Sequence, residues 1–210
     1  MDAALRAGGG GPSDAERLSI PDRFLQPAVR NGRAMPERQI TRATVESWKR
    51  NDDPILLLRL TRDQELPTSI REYLNSSAGR AARQGYKCRN RAPWYAVPDV
   101  QIPDYVLSYM SGRRANLVRN AAGVSCTNSV HSIRIRDKEV AAKYLGKWSS
   151  PFVRLSCELE GHALGGGMLK LEPREAGRIV FPAIPTFGKE RDEELEDAVK
   201  TMQRWRHYAD

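Results

Sequence analysis

Proline placement constrains this chain more than any other feature. Pro21, Pro27 and Pro36 interrupt the run 20–36, and Pro93, Pro98 and Pro103 punctuate the run 93–110. Each proline fixes its own φ, removes a backbone donor and drives the preceding residue towards extended backbone. A long helix is therefore excluded from both runs. The first is expected to be loop with short turns, the second a strand-like segment cut into pieces.

Regular elements fall between and beyond these runs. Residues 41–50 have helical character with Thr41 as N-cap, and Ile55-Leu56-Leu57-Leu58 after Pro54 is a buried strand. Residues 67–84 carry helical spacing at Ile70, Tyr73 and Leu74, with a break expected at Gly79. Residues 130–136 alternate imperfectly as a strand, and 138–145 and 151–159 are predicted helices. Gly165, Gly166 and Gly167 mark a backbone turn, followed by short strands at 168–171 and 179–182. The last element, 188–207, is an amphipathic helix with an acidic first half and Arg204, Arg206 and His207 in its last turn. That polarity suits the helix dipole. Residues 1–17, rich in Gly, Ala and Ser, are expected to be a disordered tail. The predicted class is α+β: a mixed, partly antiparallel sheet with flanking helices and a C-terminal helix.

At 210 residues the chain is long enough for one domain with a core, or one with an appended helical segment. No stretch approaches the ~18–20 apolar residues that cross a bilayer, and the N-terminus has no apolar signal region. Cys88, Cys126 and Cys157 are an odd set without CxxC spacing, against both a disulfide framework and a zinc site. The expectation is a soluble, cytoplasmic protein with no membrane partner.

The net charge of +8 is unevenly placed. Between residues 73 and 136 lie ten basic residues, nine of them Arg, against Asp99 and Asp104 alone, so this block holds the whole excess. Arginine presents a planar fork that fits phosphate and guanine edges. Such a block is the electrostatic footprint of a nucleic-acid binder, or else a solvated positive face.

Catalytic constellations are missing. His131 and His162 have no metal-binding spacing, and Cys126 with His131, five apart on a strand, would face opposite ways. A strand follows the triple glycine where a phosphate loop needs a helix. No catalytic residue, cofactor-binding residue or metal ligand is assigned in this chain.

One string is hard to account for by packing demands: Lys87-Cys88-Arg89-Asn90-Arg91-Ala92-Pro93-Trp94-Tyr95. It resembles the segment opening the C-terminal region of TaqI-like adenine-specific type II DNA methyltransferases of restriction-modification systems. The resemblance continues through Pro103-Asp104-Tyr105, Asn120-Ala121-Ala122-Gly123, Thr127-Asn128 and His131-Ser132-Ile133, then through Gly165-Gly166-Gly167-Met168-Leu169-Lys170-Leu171-Glu172-Pro173 to Ile179-Val180-Phe181-Pro182. It implies a DNA target recognition domain over 18–185, preceded by the tail 1–17 and followed by the C-terminal helix 186–210. In that family the domain clamps double-stranded DNA while a separate catalytic domain, holding S-adenosylmethionine, methylates a flipped adenine. The Asn-Pro-Pro-Tyr motif and glycine cofactor loop of that catalytic domain do not occur here. The implied role is the DNA-reading part without the chemistry, as a fragment, a split subunit or a remnant.

The residue types agree with this. Arg89, Arg91, Arg113, Arg114, Asn116, Asn120, Asn128 and His131 all fall in the basic block and are the candidate DNA-binding residues. Asn128 reads equally as a turn residue, Arg113-Arg114 as a bland exposed pair, and Trp94 as a core anchor or a stacking group. If the segment is extended, Arg89 and Arg91 share one face and Trp94 takes the other. Two rivals remain: a non-specific RNA- or single-strand-binding module, and an interaction protein docking an acidic partner. Calorimetry of the chain with S-adenosylmethionine is expected to give no saturable heat; micromolar binding would place a cofactor site in this chain.

Overall fold

The computed structural model describes residues 10–97, 100–183 and 187–206. The order is α1 (Pro12–Arg17), β1 (Leu25–Val29), β2 (Gln39–Ile40), α2 (Arg42–Arg50), β3 (Leu56–Leu58), α3 (Thr68–Asn75), α4 (Ser77–Arg83) and α5 (Tyr86–Arg89). Then follow β4 (Tyr105–Ser108), β5 (Met110–Ser111), β6 (Leu117–Asn120), β7 (Ser125–Cys126), β8 (Val130–Ile133), α6 (Lys138–Leu145) and α7 (Pro151–Glu160). The chain closes with β9 (His162–Leu164), β10 (Met168–Lys170), α8 (Pro173–Ala176) and α9 (Lys189–Arg206). The class is α+β, with parallel and antiparallel pairs and a C-terminal helix, as the sequence predicts.

The central sheet has strand order β2-β6-β4-β8. Successive side chains on a strand point to opposite faces, so β4 feeds two cores. Val106, with Val118, Val130 and Ile40, enters the larger core with Phe24, Leu58, Leu60 and Ile70. Leu107, with Leu117 and Ile133, enters a second core with Val153, Leu169 and Leu171 under α7 and β10. Two smaller sheets, β3-β1-β7 and β5-β10-β9, flank it.

Several elements form for local reasons, and the Thr41 cap and the glycine turn are among those the sequence offers. Thr41 caps α2, its Oγ1 accepting from the Thr44 amide at 3.2 Å. Asp137 accepts from the Glu139 and Val140 amides to start α6 at Lys138, and Ser150 caps α7. Gly166 and Gly167 have φ of +74° and +75°, the left-handed region that glycine enters without penalty.

Other elements depart from expectation. The run 20–36 contains a strand, β1, with Pro27 inside it. The Ala28 amide donates to Ile55 O at 2.7 Å and the Arg59 amide to Phe24 O at 2.8 Å, so even-numbered residues of β1 bond towards β3. The Pro27 nitrogen therefore faces the other side, one residue before pairing with β7 begins at Ala28↔Ser125. The helix 67–84 breaks at Ser76, not Gly79. Ser76 Oγ accepts from the Gly79 amide, and a Cβ at Gly79 would collide with the carbonyl oxygens of Tyr73 and Leu74. Residues 179–182 form no strand: the Val180 amide bonds Ser156 Oγ at 2.9 Å and Lys147 Nζ bonds Pro182 O at 3.0 Å, so side chains serve this backbone instead of a ladder. The expected tail is ordered over α1, where Ala15 is buried and the Ser13 amide donates to Asp52 Oδ1 at 2.8 Å; residues 1–9 lie outside the described residues. Among the described residues no helix is long and apolar enough to cross a membrane.

One buried ion pair locks α9 to α7. Arg206 Nε meets Glu158 Oε2 at 2.7 Å and Nη2 meets Oε1 at 3.0 Å, with side chains 3% and 4% exposed. Arg206 Nη1 also donates to Gly167 O, and Nη2 to Arg113 O at 3.2 Å. Arg206→Ala would strand the Glu158 carboxylate in the interior. A loss of ~3–5 kcal/mol is expected in urea unfolding; a loss below about 1 kcal/mol would show that Glu158 is resolvated.

Candidate nucleic-acid interface

Strands β6 and β8 both run antiparallel to β4, with Leu107↔Leu117 and Ser108↔Val130 in register. The end of β4 and the starts of β6 and β8 therefore share one end of the sheet, which collects residues 109–116 and 127–129. Pairing of β1 with β7 adds a third segment: the Thr127 amide donates to Val29 O at 3.0 Å and Thr127 Oγ1 to Arg30 O at 2.8 Å. Gly32 stands against Ser108 and Met110, where a Cβ would lie 3.4 Å from each. Arg30, Arg33, Arg113, Arg114 and Asn128 thus gather at one end of the sheet. Asn128 and all but Arg30 of the arginines are exposed, and among the described residues none of the four arginines enters an ion pair.

The backbone beneath this charge is braced. Ala115 O accepts from Trp148 Nε1 at 3.0 Å, the Asn116 amide donates to Ser108 Oγ at 2.8 Å, and that hydroxyl contacts Ser111 Oγ at 2.7 Å. Arg113 O accepts from Gln203 Nε2 at 2.6 Å and from Arg206. The loop is fixed through its main chain while the guanidinium groups of Arg113 and Arg114 stay in solvent. Sequence reasoning missed Arg30 and Arg33 because they lie outside the basic block. Only a strand pairing to residues 97 positions away brings Arg30 here.

Three other candidates turn their polar atoms inward. Asn116 Nδ2 donates to Pro36 O at 3.0 Å. Asn120 Nδ2 donates to Pro103 O and Val124 O, both at 2.8 Å, while its Oδ1 accepts from the Val124 amide. His131 Nε2 lies 2.7 Å from Leu171 O, with its ring against Tyr109. These side chains tie loops and sheets together.

The Arg-rich string is not extended, and the alternation expected of it does not hold. Residues 86–89 form α5, and the peptide between Ala92 and Pro93 is cis. Cys88 is the buried residue of the turn; Arg89 is exposed, and Arg91 is half-buried with Nη1 shielded and unbonded among the described residues. Trp94 packs half-buried on the larger core, edge-on to Tyr95 at 5.9 Å. Arg134 and Arg136 lie at the opposite end of the sheet from Arg113, lining an open groove of about 550 Å³ with Val140, Tyr144 and Phe181. The block of ten cations is therefore divided among separate surfaces.

The thiols offer no nucleophile to complement these charges at Cys157, where burial first and the neighbouring Glu158 second push the pKa up to about 12. Among the described residues no group of three or more His, Cys, Asp or Glu is placed to hold a metal ion.

The arrangement sets exposed arginines on a main chain anchored to an α+β scaffold. The chain belongs to the family defined by the C-terminal domain of the type II methyltransferase M.Eco57I, whose model matches residues 11–210. It is 19% identical over 193 residues to the type II methyltransferase M.AccI of Acinetobacter calcoaceticus, covering 90% of this chain and 35% of that protein. It is 25% identical over 169 residues to the type II methyltransferase M.XamI of Xanthomonas campestris pv. amaranthicola, covering 79% and 31%. The chain therefore spans about a third of the length of these relatives, and its role is methyltransferase-associated.

The division between inward and outward polar groups is testable by stability. Asn120→Ala leaves Pro103 O, Val124 O and the Val124 amide without their partner, and should destabilise by ~1–3 kcal/mol. Asn128→Ala should leave the thermal midpoint unchanged. Equal effects of the two substitutions would refute the assignment.

Proposed function

We propose that this chain recognises double-stranded DNA as the target recognition part of an N6-adenine methyltransferase in a restriction-modification system. The observation that carries the reading is the sheet end itself: Arg30, Arg33, Arg113 and Arg114, without acidic partners among the described residues, on loops whose main chain is anchored. Phosphate contacts fix a protein's register on a duplex and are made by such arginines, while exposed Asn128 is of the type that pairs with adenine. Family membership and two type II methyltransferase relatives support the context. The adenine specificity and the target-recognition role rest on the resemblance carried by the sequence motifs. In this reading catalysis and S-adenosylmethionine belong to a separate catalytic domain or subunit, and the setting is the cytoplasm.

Salt titration with duplex, single-stranded and acidic-protein competitors separates this reading from its rivals. If about five cations meet phosphates, log K against log salt should have a slope near −4 to −5 on duplex. Replacing Arg113 and Arg114 with Ala should reduce that slope by about one to two units and leave the preferred sequence unchanged. An unaltered slope would move the phosphate surface elsewhere, and tighter binding to single strands would favour the RNA or single-strand alternative.

A further inference from the structure

The central sheet has one face that is only half covered. Leu107, Leu117 and Ile133 of this face pack into the second core. Two residues further along β6, about 7 Å, the covering ends. There the register sets Gln39 beside Arg119, Arg119 beside Tyr105, and Tyr105 beside Ile133. Partners in register point to the same face, so Gln39, Arg119 and Tyr105 form a row across three strands. Gln39 and Arg119 are exposed and Tyr105 is half-buried. None of the three side chains makes a hydrogen bond or ion pair within the described residues. The adjacent acid, Asp104, has its Oδ2 engaged by the Ile135 amide at 2.7 Å.

We propose that this row reads base edges, with Arg119 and Gln39 as specificity-determining residues; the inference rests on the duplex-DNA reading above. The chemistry is suited to the task. A guanidinium pairs bidentately with guanine O6 and N7, and a Gln amide with adenine N6 and N7. Tyr105 supplies a hydroxyl and an apolar ring edge beside them. The dimensions fit too. Neighbouring strands lie about 4.8 Å apart, so the row from Gln39 to Tyr105 spans about 10 Å, within the ~12 Å width of the major groove. Exposed Arg38 precedes Gln39 on the β2 side, and exposed Arg134 follows Ile133 on the β8 side. They lie at the two edges of the sheet, beside the row and not on its face. Among the described residues neither Arg38 nor Arg134 is ion-paired.

The test is selection of bound duplexes from a randomised pool by the full chain, followed by sequencing. The wild type is expected to return a consensus. Arg119→Ala and Gln39→Ala should each lose discrimination at one base pair by about 5- to 150-fold, with melting temperature unchanged and a salt slope reduced by no more than about one. The Arg113/Arg114 double variant should do the opposite, lowering the slope while keeping the consensus. Retention of the wild-type consensus by both row variants overturns the inference and makes the row a solvated face. Salt-dependent duplex binding without any wild-type consensus also overturns it, while leaving the phosphate surface standing. Absence of duplex binding by the wild type overturns the functional reading and the inference together.

Discussion

Strand β4 is buried on both faces, and the rest of the architecture is arranged to satisfy that. Val106 and Leu107 are 0% and 2% exposed and point into different cores. A four-residue strand cannot hold two cores apart alone, so its backbone is paired on both sides, by β6 and by β8. Because both partners run antiparallel to it, their starts meet where β4 ends. The collection of Arg113, Arg114 and Asn128 at one end of the sheet is a direct consequence of this topology.

The second core lies against α7, and α9 packs on that helix, with Val199 fully buried and the Arg206–Glu158 pair joining the two. A buried ion pair is weak evidence for stability, because desolvation offsets much of the attraction. Here its placement matters more than its energy. Arg206 bridges α7, the glycine turn and the Arg113 carbonyl, so the helix packed on α7 also holds the cationic loop. Packing and the charged surface are therefore coupled through one guanidinium group, although Arg206 itself is hidden from solvent.

What the sequence made legible was local. The capped helix at 41–50, the helices at 138–145 and 151–159 and the strand after the glycine turn carry their signals within a few residues. β1 was hidden because Pro27 reads as a breaker unless the edge on which its nitrogen falls is known. The strand expected at 179–182 failed for the converse reason: Ile179 and Phe181 have the residue types of a strand, but among the described residues no partner strand reaches them. The site followed the same division. Charge counting found Arg113 and Arg114, which lie next to one another. It could not find Arg30 or Arg33, whose place depends on β1 meeting β7. Asn120 and His131 show a further limit, since residue type reveals hydrogen-bonding capacity but not whether a base or a carbonyl receives it.

Concentrating unpaired arginines at one sheet end works against folding, because like charges repel over a Debye length of about 8 Å at physiological salt. The structure meets this by separating main chain from side chain. Backbone groups of the loop are bonded to Trp148, Ser108 and Gln203, while the guanidinium groups remain hydrated, where repulsion between them is weakest. A surface built this way enters an encounter with its backbone already ordered, so association need not bear that entropy. In the proposed DNA-binding role the exposed arginine tips would supply attraction that is indifferent to sequence. In the proposed role, discrimination would fall to groups held more tightly than those tips, and strand positions with fixed cross-strand neighbours meet that requirement better than loop ends do.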